Sequence, residues 1–263
     1  MGNMIKALLF DIDGTLISFN THKVPESTIE GIRKAKENGV KVFISTGRPK
    51  PIICNLDQLT PYIDGYVTTN GAYGYIGDTV INCEEIGKPD VLHIVEHSRQ
   101  LGVACIVVGK KSISVVNENE QFDYVFRKLL RITTLDALSP LDEVLSEGVI
   151  QLTPFFTPEQ ERQIVAPLDG CTCGRWHQEF VDVTANGIDK ALGLEKMAKH
   201  LGLQIAETMA FGDGGNDIPI IKKAGVGVAM GNAGNHVKAV ADYTTTHIDE
   251  DGVWNALKAY GVI

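Results

Sequence analysis

Two kinds of hydrophobic spacing alternate along the first third of the chain. The continuous apolar run at 5–10 has the length and composition of a strand buried on both faces. Thr28, Ile29, Ile32, Ala35 and Lys36 then recur at helical spacing between Pro25 and Gly39, so 25–38 predicts a helix that Gly39 ends. Apolar runs at 40–45 and 66–69 predict two more strands. This β-α-β-α-β order implies a parallel sheet covered by helices on both faces.

The same order returns in the last third. It predicts helices at 189–200, 217–224, 233–241 and 249–260, with strands at 208–211, 225–230 and 243–245 between them. The middle breaks the rhythm. Apolar runs at 104–108 and 112–117 flank Gly109-Lys110-Lys111 and predict a hairpin. Further strands are expected at 149–154, 171–176 and 179–183, with helices at 89–101, 122–130 and 158–165. The expected fold is α/β, a Rossmann-like parallel-sheet core with an inserted α+β cap domain. The core is assigned to 1–83 and 187–263, and the cap to 84–186.

Composition narrows the class without naming the chemistry. The chain has 263 residues, 44% hydrophobic and 22% charged, which is ordinary for a globular protein with a sizeable core. A formal net charge of −9 argues against an extended nucleic-acid surface. A small anionic substrate remains compatible, because a few local cations and a metal can outweigh the global field. The 5 cysteines form neither a CxxC pair nor an even framework, so buried or half-buried free thiols in a reducing compartment are expected. No apolar run reaches the length of a membrane span, and 1–6 lead straight into a strand without a signal-peptide pattern. The expected location is the cytoplasm, with no membrane or nucleic-acid partner.

Polar clusters fall at the carboxyl ends of the expected strands, where open α/β sheets bind ligands. Asp11-Ile12-Asp13-Gly14 follows the first strand: one acid can attack a phosphorus while the other handles a proton, and Gly14 permits the turn. By itself the segment also suits an ordinary surface turn. Ser45-Thr46-Gly47-Arg48 follows the second strand, and a hydroxyl beside a glycine N–H suits phosphate oxygens, although a plain helix cap uses the same residues. Lys190 falls in the first turn of a helix, against the macrodipole; a bound anion would resolve that, and a solvated surface lysine is the alternative. Gly212-Asp213-Gly214-Gly215-Asn216-Asp217 clusters acidic oxygens suited to Mg²⁺, or simply caps a helix. Their joint occurrence in this order points to one shared site.

These motifs resemble those of the haloacid dehalogenase superfamily, and the size of the insert and the segment Val67-Thr68-Thr69-Asn70-Gly71-Ala72 resemble its Cof-type branch with a class IIB cap. The resemblance implies Mg²⁺-dependent hydrolysis of a small metabolite's phosphate monoester, a sugar (hexose) phosphate, through an aspartyl-phosphate on Asp11. It implies that Asp13 is the general acid and base, and that Asp11, the Asp13 carbonyl and Asp213 hold the metal with support from Asp217. Thr46, Gly47, Arg48, Lys190 and Asn216 would bind phosphate or substrate, and Asn70 and Arg175, with Trp176 and His177 beside it, are candidate specificity residues. A hexose phosphomutase using the same aspartyl-phosphate chemistry is the alternative. Ala185, Ala191 and Gly215 depart from the family's usual residues, but none removes a catalytic group.

Overall fold

The computed structural model describes residues 4–130, 132 and 138–263. Its backbone divides into two compact units: Met1–Thr46, Asn55–Asn82 and Asp189–Ile263 form one, and Gly47–Cys54 with Cys83–Ile188 the other.

The first unit is built on an eight-stranded sheet in the order β13-β12-β11-β1-β2-β3-β4-β5. Its strands are β1 (Ala7–Phe10), β2 (Lys41–Ser45), β3 (Gly65–Thr68), β4 (Tyr73–Ile76), β5 (Thr79–Cys83), β11 (Thr208–Gly212), β12 (Val226–Ala229) and β13 (Tyr243–Thr244). Pairing is parallel from β13 to β3 and antiparallel between β3 and β4. The chain leaves β1 toward β2 and β3 on one side, then returns with β11 and β12 on the other. The boundary between β1 and β11 is therefore the topological switch point, where a crevice opens beyond the strand ends. β1 and β11 are buried throughout and stack Phe10 on Phe211. The extension by β4 and β5 lies outside the expected parallel sheet. Gly74 and the Gly77-Asp78 turn interrupt any continuous apolar run there, so periodicity does not reveal these strands.

Helix α1 (Glu26–Glu37) buries Thr28, Ile32 and Ala35 of the expected face together with Gly31, while Ile29 and Lys36 are half-buried at its edges. The second unit contains α2 (Lys88–Leu101), β6 (Cys105–Gly109), β7 (Ile113–Val116), α3 (Glu120–Phe122), α4 (Leu141–Glu147), β8 (Val149–Pro154), α5 (Pro158–Ile164), β9 (Cys171–His177) and β10 (Phe180–Ala185). Its five strands form an antiparallel sheet in the order β7-β6-β8-β10-β9. The helix expected at 122–130 is α3 continued by a π-helical segment, Asp123–Leu129. Back in the first unit, α6 (Lys190–Leu201), α7 (Ile218–Lys223), α8 (Asn235–Lys238) and α9 (Gly252–Ala259) complete the α/β alternation. The last three are shorter than periodicity suggests: 3₁₀ turns at Gly215–Asp217 and Ile248–Glu250 precede α7 and α9, and α8 is a single turn.

All five cysteines are free: Cys105 is buried, Cys54, Cys83 and Cys171 are half-buried, and Cys173 is exposed, contrary to the expectation of burial. Among the described residues no helix is long and apolar enough to cross a membrane.

Candidate active site

Asp11 is the first residue beyond β1, and its backbone N–H donates to the Phe211 carbonyl, so the sheet ladder itself fixes its starting point. The next turn closes on itself, with the N–H groups of Thr15, Leu16 and Ile17 converging on the carbonyl of Ile12. Gly14 sits at a φ of 82° beside Asp213, and a Cβ there would lie 2.2 Å from Asp213 Oδ2. Both the turn and the close approach require glycine. Thr46, the first residue beyond β2, is held through its backbone by Val67 and Asn70.

Lys190 decides the character of the site. It is not a solvated surface lysine: its side chain is fully buried, and Nζ donates to Asp11 Oδ1 and Asp217 Oδ1, each at 2.6 Å. The N-cap Asp189 accepts from Leu192 N–H and starts α6 at this residue. α6 also lies directly on the loop after β3. A Cβ on Gly71 would come within 2.1 Å of the Asp189 carbonyl oxygen, and one on Gly193 within 2.2 Å of Val67 Cγ1. Asn82 secures that loop by donating to the carbonyls of Gly71 and Ala72.

Asp217 is committed on both oxygens. Oδ1 accepts from Lys190, and Oδ2 accepts from the N–H groups of Asp213 and Gly214 at 3.0 and 2.9 Å. It therefore shapes the loop that presents Asp213. Asn216 donates to Asn70 Oδ1 at 3.1 Å, and Asn70 itself has left-handed backbone, with φ at 52°. Asn70 is thus buried and engaged within the core.

Electrostatics follow from this crowding. Burial, then the neighbouring charge of Asp217, push the Asp11 carboxyl well above its ordinary range, against the opposing effect of Lys190. Burial and Asp217 push Asp213 up to about 7. Burial alone would lower Lys190, but Asp11 and Asp217 together raise it above its ordinary value. One ammonium faces the carboxylates of Asp11, Asp213 and Asp217, whose nearest oxygens all lie within 4.8 Å of one another. A hard divalent cation fits this donor set and would relieve the excess negative charge. Asp217 accepts at 2.6, 3.0 and 2.9 Å, whereas the donors to Asp213, Thr15 Oγ1 and Asn232 Nδ2, stand further off at 3.3 and 3.4 Å, so Asp11 and Asp213 are the carboxylates more open to such an ion.

The match to a family model settles the lineage: residues 8–257 match that of haloacid dehalogenase-like hydrolases. The chain belongs to this family. A relative from Bacillus subtilis (strain 168) named "Putative phosphatase YkrA" is 31% identical over 98% of both chains. YcsE of the same organism, named a 5-amino-6-(5-phospho-D-ribitylamino)uracil phosphatase, is also 31% identical, over 97% of this chain and 95% of its own. The structure of the subclass IIB sugar phosphatase BT4131 superposes with a TM-score of 0.92 at 45% identity, covering 98% of this chain and 100% of the other. With phosphatases among both its relatives and its structural neighbours, this haloacid dehalogenase-like enzyme is a phosphatase with a capped α/β core.

The remaining expected site residues divide between the two units. Asp13, half-buried, lies in the same turn as Asp11. Gly47 and Arg48 group with the second unit, where Arg48 Nη1 donates to the Ile52 carbonyl and Cys54 Sγ. Arg175 serves its own unit's fold: it pairs with Glu161 at 2.7 Å and donates to the carbonyls of Phe156, Gln178 and Phe180. His177 stacks on Phe180 and accepts from Glu179 N–H. The side chain of Trp176 lies outside the described residues.

Asn232 was not legible as a site residue. Its amide donates to the Gly14 carbonyl at 2.8 Å and reaches Asp213 Oδ2 at 3.4 Å, while its oxygen accepts from Ile248 N–H. The only signal in the sequence is position, since Asn232 closely follows the expected strand at 225–230.

Proposed function

We propose that the enzyme hydrolyses a phosphate monoester of a small metabolite, with Mg²⁺, through an aspartyl-phosphate on Asp11. The substrate class best supported is a sugar phosphate. The buried Lys190 bridge carries this reading: it fixes one Asp11 oxygen and keeps a positive charge where a phosphoryl group would gather negative charge.

In the first half-reaction an Asp11 carboxylate oxygen forms a bond to phosphorus as the ester P–O bond breaks. Asp13 gives its proton to the departing alkoxide. In the second, Asp13 takes a proton from water, the water oxygen attacks phosphorus, and the Asp11–phosphorus bond breaks to release phosphate. Lys190 and the Thr46 hydroxyl orient the phosphoryl oxygens, with Gly47, Arg48 and Asn216 as further binding groups. Asp217 holds Lys190 and the Asp213 loop in register. The Asp11 carboxylate, the Asp13 carbonyl and Asp213 would hold Mg²⁺, which supplies charge neutralisation for the phosphoryl group.

The phosphatase names of YkrA, YcsE and BT4131 favour hydrolysis over a mutase reaction. YcsE keeps a ribityl phosphate in view beside hexose phosphates, since both are phosphorylated polyols. Asp11→Asn tests the reading: it should abolish Mg²⁺-dependent phosphate release and trapping of a phosphorylated enzyme, with the fold retained. Phosphate release at the parent rate would overturn it.

A further inference from the structure

The loop between β3 and β4 runs against the usual hand of the backbone. Thr69, Asn70 and Gly71 all have positive φ, at 51°, 52° and 100°. Glycine and asparagine tolerate that region, but a β-branched threonine is disfavoured there. Thr69 carries a second penalty, because its hydroxyl is buried without a hydrogen-bond partner. Such a segment persists only where its surroundings hold it, and backbone strain of this kind gathers at working sites.

The surroundings of this loop are the loops that carry other motif residues. The Asn70 N–H donates to the Thr46 carbonyl at 3.0 Å. Gly71 closes on the carbonyl of Asp189, the residue before Lys190. The Asn70 side chain accepts at Oδ1 from Asn216 Nδ2, at 3.1 Å. Asn70 thus grips two loops at once, one by its main chain and one by its side chain. An amide –NH₂ carries two hydrogens, so this bond leaves Asn216 a second one to offer.

We propose that Asn70 is a positioning residue for phosphate binding, fixing the spacing between Thr46 and Asn216. Its main chain holds the first and its side-chain oxygen the second, so the two reach a phosphoryl group as one unit. The left-handed turn lets a single residue face both loops. That Thr46 and Asn216 contact phosphate rests on the hydrolase reading above; the join between them does not.

Asn70→Gly suits the left-handed backbone, keeps the main-chain N–H and removes the side-chain acceptor. Calorimetric titration of the full-length protein with inorganic phosphate, in the presence of Mg²⁺, should show binding weakened by roughly fivefold. Asn216→Ala should weaken it by a similar factor, and the double variant by no more than the larger single loss, because Asn70 acts through Asn216. Asn70→Ser, too short to reach Asn216, gives the same reading if Asn70→Gly fails to fold. The ratio of kcat/KM for glucose 6-phosphate to that for phenyl phosphate should stay within roughly twofold, since no group that reads the alcohol is lost. Absence of phosphate binding by the parent, unchanged binding in a folded Asn70 variant, additive losses in the double variant, or a shifted ratio would each overturn the proposal. Phosphate binding that depends non-additively on Asn70 and Asn216, in a protein that releases no phosphate from any ester, would sustain it and sink the hydrolase reading.

Discussion

Asn232 ties the loop after β12 to the turn after β1, donating its side-chain amide to the Gly14 carbonyl at 2.8 Å. Its oxygen meanwhile receives the Ile248 N–H, so one side chain fastens three separate loops. Gly14 follows Asp13 and faces Asp213, which makes this a brace for the proposed general acid and the proposed metal ligand together.

Asn232→Ala should therefore cost more in activity than in stability. Losing these hydrogen bonds should destabilise by about 1–2 kcal/mol. The displaced turn should lower kcat by roughly tenfold, because small misplacements of reacting groups are expensive. Chemical denaturation and steady-state kinetics on the same preparation check this; unchanged kcat would show that Asn232 acts only as packing.

Lys190→Met should be damaging for a different reason. The substitution leaves Asp11 and Asp217 buried side by side without their shared cation. The expected loss is about 3–5 kcal/mol near neutral pH, and catalysis should vanish. The loss should shrink in acid, where the carboxylates take up protons. Urea denaturation at pH 5 and pH 8 measures it, and equal losses at both would contradict the assignment of charge to this cluster.

Metal binding should depend on pH in a defined direction. Burial raises Asp213 to about 7, and Asp11 is raised as well, so both favour their protonated forms in the metal-free fold. A raised acid contributes stability that is full below its unfolded pKa, about 4, and is lost as pH rises through its folded value. Mg²⁺ binds the ionised forms. The rise in Tm on adding Mg²⁺ should thus be small at pH 5.5 and larger at pH 8, by thermal denaturation with and without chelator. A larger rise at pH 5.5 would refute the donor set.

Arg175 gives a prediction about what does not read the substrate. Its guanidinium is spent on Glu161 and three backbone carbonyls within the second unit. Arg175→Ala should lower stability by about 1–3 kcal/mol through the carbonyls it strands. KM for phosphate esters should stay within roughly twofold, since the hydrogen bonds that Arg175 makes are internal to the fold. A large rise in KM with unchanged Tm would return Arg175 to the substrate.

The local sequence determined the elements and the order of the chemistry. Buried parallel strands need continuous apolar runs, so spacing alone put the clusters around Asp11, Thr46 and Asp213 at strand ends, and only their joint occurrence set them apart from ordinary turns and helix caps. Lys190 was legible only as an anomaly at a helix start. Tertiary structure decided that it is buried between two carboxylates, because that depends on α6 packing against the Gly71 loop. Tertiary structure also brought in Asn232 and set Asn70 against Asn216. Strand register and loop closure join residues far apart in the chain, and no local pattern of hydrophobic and polar positions records which distant partner a polar side chain will meet.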